Sequence, residues 1–221
     1  MLFDLDGVLL DSRDAMLATL AGVATASLGR RITVADLPPD ALTTPRVEVL
    51  AALGVADPDG LCKVSWDPAL ATASATTLFP GVLEGLMAIK DAGMATGLVT
   101  LQTRTRMPWL LPPAVLALLD VTVCREDAEP KPAPDGILLA LARLAAAPHD
   151  AVFIGDTLTD QAAAFTAGVA FAGAGWGYAG PDELAEARCP MVLTDPSQIG
   201  PGLLDLAVAG RAPQRVSAPA R

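Results

Sequence analysis

Short apolar runs of β-strand character alternate along this chain with longer stretches in which apolar residues recur at helical spacing. The strand-like runs are residues 1–5, 95–100, 121–124, 151–155, 169–173 and, more weakly, 191–194. The helix-like stretches that follow them are residues 81–92, 134–146 and 158–167. Strands that alternate with helices are typical of parallel sheets, whose neighbouring strands need crossover connections. The alternation therefore predicts an α/β fold: a Rossmann-like parallel sheet with flanking helices.

Residues 12–78 interrupt this alternation. They contain no convincing strand, only helical patches separated by turns at the sequences PPD, DPDG and WDP. We interpret this segment as a small helical cap inserted after the first strand. The core is then discontinuous, at residues 1–11 and 79–209. The tail, residues 210–221, lacks apolar periodicity and is predicted to be disordered.

The composition narrows the possible functions. Hydrophobic residues make up 52% of the 221 residues, which is ample for a buried core, yet no apolar run is long enough to span a bilayer. The net charge of −10 and the lack of a basic block argue against nucleic acid as a partner. The start MLFDLDG carries carboxylates where a secretory signal needs a basic segment and an apolar one. We therefore expect a cytoplasmic protein without a membrane partner.

The single histidine and the cysteines offer little chemistry. Cys62, Cys124 and Cys189 are widely spaced and form no C-x-x-C pair, so reduced thiols are expected rather than disulfides or a structural zinc site. His149 precedes a strand instead of following one, which favours a structural or solvated role.

The sequence Phe3-Asp4-Leu5-Asp6-Gly7 ends the first predicted strand. Two carboxylates separated by one residue can face one pocket if the backbone turns there, and glycine makes that turn easy. Because close carboxylates repel each other, a shared divalent cation is the expected partner. A surface Asp-x-Asp-Gly turn remains the alternative.

Three further polar segments follow predicted strands. Thr100 closes one strand, and its hydroxyl could hold a phosphate oxygen, although a β-branched residue ending a strand is common. Lys131 lies between prolines, which stiffen the backbone around its ammonium; the alternative is a proline-rich loop before a helix. Asp156 and Asp160 are one helical turn apart and could face one side, or the segment could simply cap the following helix. Since sites in open parallel sheets gather at the carboxyl ends of the strands, one common site is predicted.

In this order the segments resemble the four motifs of the haloacid dehalogenase superfamily, in particular its phosphoglycolate-phosphatase-like branch. The matching sequences are FDLDGVLLDS, the strand ending in Thr100, EPKPAPD around Lys131, and GDTLTD, with LFPGVLEGL and GWGY as supporting detail. The resemblance covers the chain from residue 1 to about residue 206.

The resemblance implies a role for each residue at the reacting phosphoryl group. Asp4 is similar to the nucleophile that accepts the phosphoryl group as an aspartyl phosphate. Asp6 resembles the general acid and base that protonates the leaving oxygen and later activates water. Thr100, Leu101 and Lys131 make up the implied phosphate-binding set, and Lys131 also restrains Asp4.

The resemblance also implies a Mg²⁺ cofactor. Its ligands would be Asp4, the main-chain carbonyl of Asp6, and Asp156, with Asp160 as a further ligand or an outer supporting residue. Magnesium and a lysine would neutralise the repulsion between a carboxylate and a phosphate dianion.

Asp6 favours phosphate chemistry over dehalogenation, because halide needs no proton when it leaves. The expected function is Mg²⁺-dependent hydrolysis of a small phosphomonoester, similar to phosphoglycolate or a sugar phosphate. A phosphosugar mutase using the same aspartyl phosphate, and a non-catalytic binding protein on the same fold, are the alternatives. The chain departs from the family at Leu101-Gln102, where relatives often carry small or amide residues, and at three prolines that interrupt the next helix, Pro108, Pro112 and Pro113.

Substrate selection is assigned to the cap. Arg46 follows a Thr-Thr-Pro turn and could meet an anionic end of the substrate, or it could be a solvated residue in the first turn of a helix. Lys63 is the only cap amine and would be the Schiff-base candidate of a phosphonate-cleaving relative, but its neighbours suggest no reactive amine. The sequence leaves both a monomer and a homodimer open.

Overall fold

The structure, a computed structural model, describes residues 1–73, 76–200 and 202–203. The chain divides into two compact units. We call Met1–Leu10 together with Leu78–Arg221 the core unit, and Asp11–Thr77 the helical unit. The tail predicted to be disordered, residues 210–221, lies outside the described residues.

A six-stranded parallel sheet organises the core unit, in agreement with the predicted fold class. The strands are β1 (Leu2–Phe3), β2 (Leu10–Asp11), β3 (Thr77–Leu78), β4 (Gly97–Val99), β5 (Val121–Val123), β6 (Val152–Gly155), β7 (Ala170–Ala174) and β8 (Val192–Leu193). Their order in the main sheet is β5-β4-β1-β6-β7-β8, while β2 and β3 pair with each other. The short strands β2 and β3 correct the expectation that the segment after the first strand holds no strand.

Side chains of each central strand alternate between two hydrophobic cores, one on each face of the sheet. Phe3 and Ile154 belong to the first core, whereas their neighbours Leu2 and Phe153 belong to the second. All four are fully buried. Strands buried on both faces read as continuous apolar runs, and this is why the pattern of the sequence identified them.

Helices cover both faces of the sheet or build the helical unit. They are α1 (Arg13–Leu28), α2 (Arg46–Ala52), α3 (Pro58–Ala71), α4 (Val82–Asp91), α5 (Met107–Leu110), α6 (Pro113–Leu116), α7 (Asp135–Leu144), α8 (Leu158–Ala167) and α9 (Gly180–Glu186). The helix expected after β4 is broken into the one-turn helices α5 and α6, as its prolines predict. Throughout the described residues, no helix combines the length and the apolar character needed to cross a bilayer.

The helical unit has a hydrophobic core of its own, formed by α1, α2 and α3. The predicted turn at Trp66-Asp67-Pro68 is wrong, because these residues lie inside α3. The helix begins where Asp57 accepts the N–H of Gly60 and a proline occupies the first helical position. Pro68 removes one backbone hydrogen bond, and the burial of Trp66 and Leu70 on the inner face of α3 offsets that loss.

Candidate active site

A tight loop after β1 presents Asp4 at the carboxyl edge of the sheet. The N–H of Asp4 still donates to the Ile154 carbonyl of β6, at 2.8 Å, so its backbone position is set by the sheet. The next carbonyl, that of Leu5, accepts the N–H of Leu10 at 2.9 Å and thereby closes the loop. The indole of Trp176 donates to the Val8 carbonyl, at 3.2 Å, and fixes the loop from the other side.

Residues from two distant segments converge on Asp4. The structure brings Asp4, Asp156 and Asp160 together, with one carboxylate oxygen from each lying within 4.8 Å of the others. The Lys131 ammonium lies 2.8 Å from Asp4 Oδ1 and 2.5 Å from Asp160 Oδ1. All of these residues follow strand ends, so the parallel order of β1, β5 and β6 accounts for their meeting.

Lys131 is held inside the protein. Only 7% of its side chain is exposed, and its ammonium lies 5.5 Å from the centre of the Phe153 ring. Burial alone would lower the pKa of this ammonium, but Asp160 and Asp4 outweigh that effect and keep the pKa above its ordinary value. Lys131 is therefore a fixed positive charge at neutral pH.

Asp156 has one carboxylate oxygen engaged and one available. Its Oδ2 accepts the N–H of Tyr178 at 2.7 Å. Its Oδ1 is buried and has no hydrogen-bond partner among the described residues. A Cβ at Gly7 would lie 2.1 Å from Asp156 Oδ2, and one at Gly177 would lie 2.2 Å from Asp156 Cβ, so only glycine fits at either position. A buried carboxylate oxygen without a partner is the kind of group that a cation stabilises.

Asp160 orients its neighbours. Its Oδ2 accepts the backbone N–H groups of Asp156 and Thr157 and the Thr157 hydroxyl, which completes a capping box at the start of α8. Its Oδ1 faces Lys131. This arrangement fits the outer supporting role that the sequence left open for Asp160.

The charges of the cluster suit a divalent cation. Burial raises the pKa of Asp4 from its ordinary 3.8 to about 7, although Lys131 acts in the opposite direction. Burial also raises the pKa of Asp156 well above 3.8, and the charges of Asp160 and Asp4 add to the shift. Three carboxylates and one ammonium leave two excess negative charges when all are ionised. An all-oxygen donor set with that excess fits a metal ion such as Mg²⁺ or Ca²⁺.

The predicted phosphate-binding residues line one depression. Thr100, Leu101, Arg125 and Lys131 contribute to it, next to the end of β4. The Thr100 oxygen accepts the N–H of Gln102 at 3.1 Å, so the hydroxyl proton can point elsewhere. The side chain of Leu101 is 44% exposed, so its contribution to anion binding would come from its backbone.

Asp6 is connected to a residue that we did not predict as part of the site. The side-chain amide of Gln102 donates to Asp6 Oδ2 at 2.7 Å, across 96 positions of sequence. The guanidinium of Arg106 in turn donates to the Gln102 side-chain carbonyl. In the sequence, Gln102 stands out only as a departure from the family pattern.

Comparison with known proteins identifies the family. A model of the haloacid dehalogenase-like hydrolases matches residues 1–174 of the chain. The chain belongs to this family. A phosphoglycolate phosphatase from Xylella fastidiosa is 35% identical over 195 residues, which cover 80% of each protein.

Solved structures of haloacid dehalogenase-like proteins share the fold. A Bacteroides fragilis chain described as a haloacid dehalogenase-like hydrolase is 27% identical, with a TM-score of 0.76, over 90% of this chain and 97% of that one. A Thermotoga maritima chain described as a β-phosphoglucomutase is 25% identical, with a TM-score of 0.69, over 93% of this chain and 98% of that one.

None of the remaining candidate residues of this haloacid dehalogenase-like hydrolase is a member of the acidic cluster that contains Asp4. Arg46 begins α2 in the helical unit, where its guanidinium lies 4.7 Å from the centre of the Trp66 ring. Lys63 is largely exposed and pairs with Asp59, so it lacks the buried surroundings of a reactive amine. His149 is largely exposed, as expected. The cysteines are free, with Cys189 only partly buried.

Proposed function

We propose that this chain is a Mg²⁺-dependent phosphatase that hydrolyses a small phosphomonoester through an aspartyl phosphate on Asp4. One observation carries the proposal: a buried carboxylate, that of Asp4, lies 2.8 Å from a buried ammonium, that of Lys131, and clusters with Asp156, whose Oδ1 has no hydrogen-bond partner in the described part of the chain. A structural ion pair does not need this second, uncompensated acid. A site that receives a metal ion and a phosphate does.

In the first step an oxygen of Asp4 attacks phosphorus, and the bond from phosphorus to the leaving oxygen breaks. Asp6 gives its proton to that oxygen, so the product leaves as an alcohol. In the second step Asp6 takes a proton from water, which attacks the phosphoryl group and restores the Asp4 carboxylate. Thr100 and Lys131, which line the same depression, would hold the phosphoryl oxygens, and the Lys131 charge would lower the repulsion between the Asp4 carboxylate and the phosphate.

Asp4, the carbonyl of Asp6, and Asp156 would hold the metal ion, and Asp160 would orient Asp156 and Lys131. When bound, Mg²⁺ supplies positive charge that offsets the negative charge of the phosphoryl oxygens. A cation also favours the ionised form of Asp4, whose pKa burial otherwise raises to about 7. Asp4 would thus be ionised at neutral pH, as a nucleophilic carboxylate must be.

The substrate we propose is similar to phosphoglycolate or to a sugar phosphate. The Xylella fastidiosa phosphatase supports the first, and the Thermotoga maritima fold the second. Selection would fall to the helical unit acting as a cap, with Arg46, held against Trp66, binding an anionic end of the substrate. Such a phosphatase would work in the cytoplasm on small metabolites, as a monomer or a homodimer.

The decisive test is hydrolysis of p-nitrophenyl phosphate with and without Mg²⁺. We expect Asp4→Asn to abolish Mg²⁺-dependent hydrolysis while the protein stays folded, because the amide cannot attack phosphorus. Asp91→Asn, an exposed acid at the end of α4, is the matched control and should keep full activity. An Asp4→Asn protein with undiminished turnover would remove Asp4 from the mechanism.

A panel of phosphorylated metabolites separates the alternatives. Phosphate release from phosphoglycolate or several sugar phosphates, without formation of isomers, supports a hydrolase. Isomer formation without phosphate release supports a mutase. Binding without turnover of any compound would instead indicate a non-catalytic protein on this fold.

A further inference from the structure

Gln102 occupies a buried position between two charged residues of the core unit. It is 6% exposed. Its side-chain N–H donates to Asp6 Oδ2 at 2.7 Å, its side-chain carbonyl accepts from Arg106, and its backbone N–H donates to Thr100 Oγ1 at 3.1 Å. Gln102 therefore connects Asp6, the proposed acid, to Thr100, the residue that follows β4.

The two contacts of the side chain fix its orientation. A guanidinium can only donate hydrogen bonds, so the amide must turn its carbonyl towards Arg106. The NH₂ group is then directed at Asp6, and a flipped amide would lose both bonds. Burial raises the cost of such a loss, because each unsatisfied polar group costs about 1–3 kcal/mol.

We propose that Gln102 is a positioning residue that orients the Asp6 carboxyl group for proton transfer to the leaving oxygen, and that Arg106 holds Gln102 in place. The inference rests on the proposed function, in which Asp6 is the acid. The amide engages Oδ2 and thereby directs the transferred proton to Oδ1. Gln102 itself neither gains nor loses a proton. The proton moves from Asp6 to the leaving oxygen as the phosphorus–oxygen bond breaks.

This geometry predicts a selective defect. Protonation matters most for a leaving group that is a poor anion, such as the alkoxide of an alkyl phosphate, and least for p-nitrophenolate. General acid catalysis contributes about 10²–10⁴-fold, so a misplaced acid should lose about 10-fold or more on alkyl phosphates and less than about 3-fold on p-nitrophenyl phosphate. A loss of folding or of phosphate binding would instead lower kcat/KM for both substrates by the same factor.

The experiment compares kcat/KM for p-nitrophenyl phosphate and an alkyl phosphate, in the full chain with Mg²⁺. This parameter reports phosphoryl transfer to Asp4 and is unaffected by later hydrolysis of the intermediate. Gln102→Leu removes both side-chain hydrogen bonds at similar size, and Arg106→Met removes the support of the amide, for which we expect a smaller loss of the same kind. Gln161→Leu, in α8, is the matched glutamine control and should leave kcat/KM unchanged for both substrates.

Asp6→Asn separates failure of this inference from failure of the proposed function. If Asp6→Asn selectively lowers kcat/KM for the alkyl phosphate and Gln102→Leu does not, Gln102 does not position the acid. If Asp6→Asn shows no selectivity, the role proposed for Asp6 is wrong. Should Gln102→Leu not fold, Gln102→Met and Arg106→Met carry the same comparison, and equal losses on both substrates would overturn the inference.

Discussion

Two lysine–aspartate pairs of similar length show how differently the two units use the same chemistry. In the helical unit, Lys63 and Asp59 lie 2.5 Å apart, with 73% and 62% of their side chains exposed. In the core unit, Lys131 and Asp160 also lie 2.5 Å apart, with 7% and 1% exposed. Distance alone does not tell which pair belongs to a site. Burial does.

Water explains the difference. Around Lys63, water screens the charges and solvates each group about as well as its ion-pair partner does. The pair therefore adds little to the stability of the fold. Around Lys131 water is excluded, so each charge depends on its neighbours, and removing one leaves the others uncompensated. The buried cluster also shifts the pKa values of its acids, as catalytic groups require.

Replacing the buried lysine should have the largest effect. We expect Lys131→Met to lower the free energy of unfolding by about 3–5 kcal/mol, because the three buried carboxylates are left without the positive charge of the ammonium, and to abolish phosphatase activity. Urea denaturation in the presence of a chelator measures the first, and p-nitrophenyl phosphate hydrolysis with Mg²⁺ the second. Unchanged stability would show that the cluster is solvated, which would erase the contrast with Lys63.

Two glycines with positive φ angles test the crowding around Asp156. Gly7 has φ +79° and no room for a Cβ beside Asp156, whereas Gly29, after α1, has φ +63° and open space. We expect Gly29→Ala to cost about 1 kcal/mol from backbone conformation alone, and Gly7→Ala about 2–3 kcal/mol together with a loss of activity. Thermal unfolding and the phosphatase assay compare them. Equal costs with intact activity would mean that Asp156 can move freely.

The raised pKa values predict how pH affects the metal-free protein. Between about pH 4.5 and pH 6 the folded chain binds more protons than the unfolded one, because the pKa of folded Asp4 is about 7 and its ordinary value is 3.8. Stability in a chelator should therefore fall as pH rises, by up to about 1.4 kcal/mol per pH unit for each such acid.

Excess Mg²⁺ should flatten this slope, because a cation favours the ionised carboxylates. Asp4→Asn in the chelator should reduce the slope as well, since it removes one titrating acid. Urea midpoints across the pH range provide the measurement. Identical slopes with and without Mg²⁺ would argue against a cation site at this cluster.

The smallest effect is expected for the exposed pair. Lys63→Met should leave the thermal midpoint within the scatter of repeated wild-type measurements and should leave hydrolysis unchanged, because both partners remain hydrated. A clear drop in the midpoint would mean that exposure is a poor guide to the energetics of these pairs, and the comparison on which the other predictions depend would weaken.

Much of the core unit could be predicted from local pattern. The strands of the main sheet all lie within the predicted runs or within one residue of them, because a strand buried on both faces is apolar throughout. The convergence of Asp4, Lys131 and Asp156 was predicted from their positions after parallel strands. The helical unit was harder to predict: Pro68 looked like a turn, but the packing of α3 overrides the local preference of proline.

The sequence by itself determined the order of the elements and the residues at the strand ends, because apolar periodicity and turn chemistry act over a few neighbouring positions. Only the tertiary structure decided which charged groups lose their water. Three features depend on segments far apart in the chain: the burial of Lys131, the Asp156 oxygen that lacks a hydrogen-bond partner within the described ranges, and the bond from Gln102 to Asp6. Desolvation is a property of everything packed around a group, and no local pattern encodes it.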